Sequence, residues 1–478
     1  MGVTTKQILY LSGIIFSGII LGIFVAKTQI MGAATIIALP FVIGYLIAIF
    51  RNPVLGLYTV LVFSFFVNGV GRYANAGPLG LSIDVFLVIA LLAEFFKGFE
   101  GDPWPDMKRN PILIAIYVWG AYCMLEFFNP EARSKEAWFY AMRAVILYLI
   151  LIVVLGIVLM RTEKHLDRVL KIWMIASCIA TLWGARQLFV GLDRFEQAWM
   201  DSGNATTHIL FGKLRVFSFY SDAGQYGAAM GHVGLICILL SLSPFGNRNF
   251  KLFYLIGGLF CLWGMSISGT RGALFVVMGG FMAYLGMSKN YKMLVIGGMA
   301  AVMFFGMLKF TKIGQSNYQI NRMRTGLDPN DPSLQLRLIN QAKLRGYLAS
   351  RPIGGGIGSA GFWGTRFSPG TFLAVTALDS WYVKIWAECG VVGLYVHIGM
   401  LLTFMIYFGL KLWKIPPCLL RDKLVALYSG MFGILVACYG NQILGQLPTN
   451  VAIYLSISFL YVFTKDEYYE QAVDTTNR

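Results

Sequence analysis

The chain has 478 residues, of which 57% are hydrophobic and only 13% charged. A soluble domain carries about 25% charged residues, so this composition excludes an ordinary globular protein and points to a membrane protein. The net charge of +16 would suggest nucleic acid in a soluble chain. Here most basic residues fall in short segments between apolar runs, as the positive-inside rule expects, and no nucleic-acid partner is indicated.

Runs of roughly 20 apolar residues cross a bilayer as helices. In chain order they cover about 8–26, 30–50, 53–69, 79–97, 111–128, 137–160, 166–191, 222–243, 251–268, 271–287, 293–310, 391–411, 424–442 and 447–463. The fold class is therefore all-α, a polytopic integral membrane protein with about 12–14 transmembrane helices. The first run follows Lys6 and is too long for a signal-peptide core, so it reads as a retained span.

With the N-terminus inside, the inner loops hold Arg51; Lys97, Lys108 and Arg109; Arg161, Lys164 and Arg168; Arg248; Lys289 and Lys292; and Lys411, Lys414, Arg421 and Lys423. The short outer loops hold few, such as Lys27, Arg72, Arg133 and Lys135. The chain then divides into N-terminal helices (1–192), a first outer loop (193–221), central helices (222–310), a large outer loop with short interfacial helices (311–390), C-terminal helices (391–463) and an inner tail (464–478).

The large loop opposes the charge bias. It contains Lys312, Arg322, Arg324, Arg337, Lys343, Arg345, Arg351 and Arg366 against Asp328, Asp331 and Asp379, an excess of five positive charges (eight minus three). Long loops translocate whatever their charge, so the excess is permitted and invites an anionic ligand; contact with lipid headgroups is the plainer alternative. Leu334–Ser350 reads as a helix in which Arg337 and Arg345 fall about 80° apart, near one face. Pro352 ends it, and Gly354-Gly355-Gly356-Ile357-Gly358 is a turn whose backbone can approach a ligand.

Ionisable groups at membrane depth are candidates for function. Arg143, Arg186, Arg215, Arg271, Arg337 and Arg345 can all lie near the outer leaflet, and Arg suits bidentate phosphate binding. For each, pairing with an acid or snorkelling is the alternative. Asp84, Glu94, Glu126 and Asp222 are the acids. The seven cysteines form no C-x-x-C pair and the four histidines have no metal-ligand spacing. No phosphate-binding or dinucleotide fingerprint occurs. No metal or cofactor is expected.

Four pieces between roughly 205 and 395 carry a likeness. They are Arg215-Val216-Phe217-Ser218-Phe219-Tyr220-Ser221-Asp222 before Gly227; Ser266-Ile267-Ser268-Gly269-Thr270-Arg271-Gly272-Ala273; Arg337 through Arg351-Pro352-Ile353-Gly354-Gly355-Gly356-Ile357-Gly358, with Arg345 and Gly356 at an Arg-x10-Gly spacing; and Asp379-Ser380, nine residues, then Gly390-Val391-Val392-Gly393. In order and spacing they resemble the O-antigen ligase/polymerase family of bacterial envelope glycosyltransferases. Ligases of that family carry His where this chain has Asp379, which favours a polymerase.

The resemblance implies a multi-pass protein of the bacterial inner membrane whose active site faces the periplasm, making the large outer loop periplasmic. It implies metal-independent inverting transfer from an undecaprenyl-diphosphate-linked glycan. Arg215, Arg271, Arg337 and Arg345 would hold the diphosphate. Asp379 would act with Arg271 and Arg337 as the catalytic set, serving as base or orienting group for the acceptor; its alternative is a helix N-cap. Glu388 is expected to make a structural contact. The acceptor is a glycan for a polymerase, and lipid A-core or a protein for a ligase. A chain-length regulator is an open further partner. A lipid-linked glycan transporter is the third reading; the absence of an inverted repeat weighs against it.

Overall fold

Inside lipid, each backbone N–H and C=O must find its partner within the protein, which leaves helices or closed barrels. The chain takes the first solution: 79% of the computed structural model is helical. Among the described residues, strand is confined to a two-residue pair, Ile209–Leu210 with Lys213–Leu214. The structure describes residues 5–73, 79–98, 110–210, 212–289, 291–311, 321, 324 and 330–465. Lys108, Arg109, Lys312, Arg322, Asp328 and most of the tail, from 466 on, lie outside them.

The helices are α1 Thr5–Arg51, α2 Val54–Tyr73, α3 Leu81–Phe96, α4 Pro111–Leu125, α5 Lys135–Leu159, α6 Glu163–Phe189, α7 Ala223–Ser241, α8 Arg248–Ile267, α9 Arg271–Met287, α10 Tyr291–Phe310, α11 Pro332–Leu348, α12 Trp381–Lys414, α13 Leu419–Ala437 and α14 Thr449–Phe463. Among the described residues, seven segments are long and apolar enough to cross a membrane: α2, Pro111–Phe128, α5, α6, α7, α8 and α12. Residues 35–51 of α1, α9 and α14 are apolar but shorter. This is the architecture of a polytopic helical membrane protein.

Three boundaries differ from the sequence expectation. The runs 8–26 and 30–50 are one continuous helix, α1, and Pro40 lies within it. Lys27, Thr28 and Gln29 do not interrupt it, since none of them breaks a helix as Gly or Pro does. The run expected at 391 starts at Trp381, with Gly390 (φ +67°) as a kink inside α12. The run expected to reach 442 stops at Ala437, which leaves 438–448 as a connection.

Helix α7 is the hub; 94% of its most apolar window is buried, and it packs on α6, α8, α9 and α13. Such contact needs small residues, because lipid offers no hydrophobic gain between helices. Gly227, Gly231 and Gly234 accordingly face Ser268, Met265 and Leu262 of α8. Gly279 and Gly280 meet Gly433 where α9 lies on α13.

The 354–358 turn is a structural joint. Gly354, Gly356 and Gly358 all have positive φ. Gly355 N–H donates to Ala387 O at 3.0 Å and Gly356 N–H to Glu388 O at 2.8 Å. The close approach made possible by glycine is therefore to α12 rather than to a ligand. Glu388 is fully buried, and its Oε1 accepts the Ala360 N–H at 3.4 Å. Its contact is structural within the fold.

A Cβ on Gly390 would run into the Pro352 carbonyl, and a left-handed conformation alone costs a non-glycine residue about 1–3 kcal/mol. Gly399, in the same helix, faces open space, where alanine favours the helix by about 1 kcal/mol. Thermal unfolding in detergent is expected to show Gly390→Ala strongly destabilised and Gly399→Ala equal to or above wild type. Equal melting temperatures would contradict the joint.

Candidate functional site

The starts of α7, α9 and α11, the end of α13, and the segments leading into α12 and α14 meet at one end of the bundle. Together with the 207–215 hairpin they enclose a cavity of about 900 Å³. Arg215, Arg271, Arg337 and Asp379 all line it.

Each arrives by a local device. The strand pair turns the chain so that Arg215 N–H donates to His208 O at 2.8 Å. This aims the Arg215 guanidinium at Thr207 O and Thr270 Oγ1, both 3.1 Å away. Thr270 is the N-cap of α9, but its hydroxyl donates to Ala223 O at 2.8 Å instead of capping its own helix. The first N–H groups of α9, at Arg271 and Gly272, therefore lack a side-chain cap where the helix opens on the cavity. A helix start of this kind attracts anions.

Arg271 pairs with Asp331, and both side chains are mostly buried. Asp331 Oδ1 also accepts the Leu334 N–H at 3.2 Å, opening α11. One and a half turns on, Arg337 Nε lies 3.1 Å from Asp379 Oδ2, with the carboxylate 52% exposed. Helix α11 is thus stapled to α9 at its start and to the α12 approach further along. Asn340 adds a bond to Ala377 O at 3.3 Å. The N-cap of α12 is Ser380, whose Oγ accepts the Val383 N–H; Asp379 is left to Arg337.

Other arginines stand elsewhere. Arg345 is exposed and outside the cavity lining. Arg143 pairs with Asp84 at 2.8 Å, and Arg186 is closed by Asp193 and Glu196. Both are structural pairs away from the cavity.

The sequence reading missed the rest of the lining. Asn441, Gln442 and Gln446 lie in the connection between α13 and α14, and hydropathy had merged the first two into a span. That connection is rigidly held: Trp381 N–H donates to Cys438 O at 3.0 Å, and Gln442 donates to Leu378 O. His208 and Gln225 also line the cavity. Burial holds the His208 imidazole below its usual range, the Asn204 carbonyl and Asp222 opposing, so it stays neutral. Gly-Asn-Gln between two apolar runs was the available signal for the connection. His208 had been weighed only as a metal ligand. Among the described residues no three His, Cys, Asp or Glu side chains gather as a metal site would require.

Three guanidinium groups, an uncapped helix start and, at Asp379, a carboxylate that solvent reaches suit a polyanion such as a diphosphate. No family model matches the chain, and no curated protein matches it.

Asn caps a helix as well as Asp, so Asp331→Asn removes the Arg271 pair while sparing the cap. Charged hydrogen bonds contribute about 1.5–3 kcal/mol. Hydrogen exchange over 332–340 is expected to speed up about tenfold in Asp331→Asn and to stay unchanged in Arg345→Ala. Unchanged exchange in Asp331→Asn would show that the pair does not hold α11.

Proposed function

We propose that this chain is a membrane glycosyltransferase that uses an undecaprenyl-diphosphate-linked glycan as donor and extends a polysaccharide on its lipid carrier. The reading rests on one observation above all: Arg215, Arg271, Arg337 and Asp379, far apart in sequence, line a single cavity. The loop charge bias supports a cavity facing the periplasm of a bacterial inner membrane.

The chemistry follows from the charges. An acceptor hydroxyl attacks the anomeric carbon as the bond from that carbon to the diphosphate oxygen breaks. Negative charge grows on the departing lipid diphosphate, and prearranged guanidinium groups stabilise it without reorganising. Arg337 exchanges Asp379 for a phosphate oxygen, which frees the Asp379 carboxylate to accept the hydroxyl proton. The position of the cavity at one end of the bundle, rather than at mid-depth, speaks against a transporter.

The test uses protein in liposomes with undecaprenyl-diphosphate-linked repeat units, scored on a gel for ladder formation. Removing a charge-stabilising donor typically lowers kcat about 10²–10³-fold. That loss is expected for Arg271→Ala and for Arg337→Ala, with Arg345→Ala near wild type. Full activity in Asp379→Asn would remove the base role. Transfer that appears only on adding lipid A-core or a protein acceptor would make the chain a ligase, and no transfer at all would sink the reading.

A further inference from the structure

The arginines are donors only, yet two residues of the same lining carry buried acceptors without a hydrogen-bond partner among the described residues. His208 is 3% exposed, packed edge-on against Trp199 and Phe217. Its Nδ1 lies 2.9 Å from Asn204 O. Thr207 Oγ1 is also 2.9 Å from Nδ1, but its hydroxyl donates to the same Asn204 carbonyl at 3.2 Å; since that carbonyl only accepts, Nδ1 carries the ring proton and Nε2 is left as a lone-pair acceptor. Among the described residues that Nε2 has no partner.

Gln225 is 1% exposed. Its amide nitrogen donates to Thr449 Oγ1 at 2.9 Å and points at the carbonyls of Gln446 and Leu447, each at 3.4 Å. Those two carbonyls fix the orientation of the amide and leave Oε1 unpartnered. An unmade buried hydrogen bond costs about 1–3 kcal/mol, so two acceptors in one cavity call for a ligand that brings donors. Asn441 lies against Gly224 and Gly272, between the starts of α7 and α9, and adds an amide.

Size leads to the same conclusion. Small-molecule pockets span about 300–1,000 Å³. A cavity of about 900 Å³ has room for a sugar ring beside a diphosphate.

We propose that His208 and Gln225, with Asn441, form a sugar-binding subsite for the ring bonded to the diphosphate, whose hydroxyl or amide N–H groups donate to His208 Nε2 and Gln225 Oε1. The cavity then has two chemistries: arginine donors for the phosphates and neutral acceptors for the sugar. This inference rests on the glycan-transfer reading and adds the residues that select the sugar. The charged groups acting on His208 are Asp222, Arg215 and Arg72; Arg215 is tied to His208 through the His208 backbone carbonyl, which a side-chain substitution retains, so a change of the His208 ring spares the diphosphate grip.

Calorimetry on protein in nanodiscs tests it with three probes: farnesyl diphosphate, and its hexose- and N-acetylhexosamine-linked forms. Wild type is expected to bind at least one sugar-linked probe about tenfold more tightly than the bare diphosphate. His208→Phe and Gln225→Met should each erase most of that increment and leave affinity for bare farnesyl diphosphate unchanged, which also reports an intact fold. Asn441→Ala, at a less buried position, should reduce the increment in part. Variants that keep the full increment would overturn the subsite. So would a wild type that binds the bare diphosphate but favours neither sugar form, and in that case the diphosphate reading survives. A wild type that binds no probe would overturn both.

Discussion

Three guanidinium groups facing one cavity repel one another, and a chain that gathers them must neutralise them while no ligand is bound. Two like charges 8 Å apart at an effective dielectric of 20 repel by about 2 kcal/mol. For two of them, Arg271 and Arg337, the chain solves this with one short helix. Helix α11 is preceded by the acid for Arg271 and itself carries the arginine that meets Asp379. One element therefore contributes one charge of each sign, to two different neighbours, and is fastened across the cavity by the compensation itself. The two pairs are unequal. Arg271 and Asp331 are mostly shielded, whereas Asp379 is half exposed, and exposed pairs contribute little, about 0–1 kcal/mol. The Arg337–Asp379 pair is the one a phosphate exchanges at least cost.

The scaffold makes this positioning possible because its helices approach closely where the cavity needs them to. Gly227 and Gly231 let α7 lie against α8 and the start of α9, so Arg215, Thr270 and the open end of α9 fall together. On the other side, the glycine joint at 354–358 locks the end of α11 to the kink in α12. Leu344 and Leu348 pack there with Leu373, Leu378 and Ala387. The approach to Asp379 is thereby fixed from both ends.

Hydropathy made the helical architecture legible, because a bilayer imposes a length that composition reveals directly. It failed where that rule has no purchase. The polar Lys27-Thr28-Gln29 looked like a loop but lies within α1. Tyr439-Gly440-Asn441-Gln442 was absorbed into a span because four residues scarcely change a twenty-residue average. The grouping of Arg337 with Arg345 shows a different limit. A helical wheel records angle and ignores rise. Eight residues at 1.5 Å each separate the two by about 12 Å along the axis, which carries Arg345 past the cavity. The acids that partner the arginines were beyond reach, since Asp331 and Asp379 are set against Arg271 and Arg337 only by tertiary packing.

Pairing, rather than identity, separates the arginines of this chain. Arg186 is enclosed by two carboxylates, Asp193 and Glu196, which together form the capping box that starts the helical turn Arg194–Trp199. The same two acids hold the turn and the guanidinium, so that arginine is committed to structure. Arg143 is similarly committed to Asp84 across α3 and α5. Arg215 instead donates to Thr207 O and Thr270 Oγ1, groups that hold its direction over the cavity. Arg337 holds a carboxylate that solvent already reaches. The two classes occur in one membrane protein under the same desolvation penalty, and they diverge at one point only. Structural arginines are neutralised where they stand, whereas those of the cavity are positioned by neutral contacts or by a carboxylate that a stronger anion can replace. An anion with several acceptor oxygens, bound to a ring rich in hydroxyls, matches both the exchangeable cations and the unpaired acceptors of His208 and Gln225. A simple phosphate would satisfy only the first.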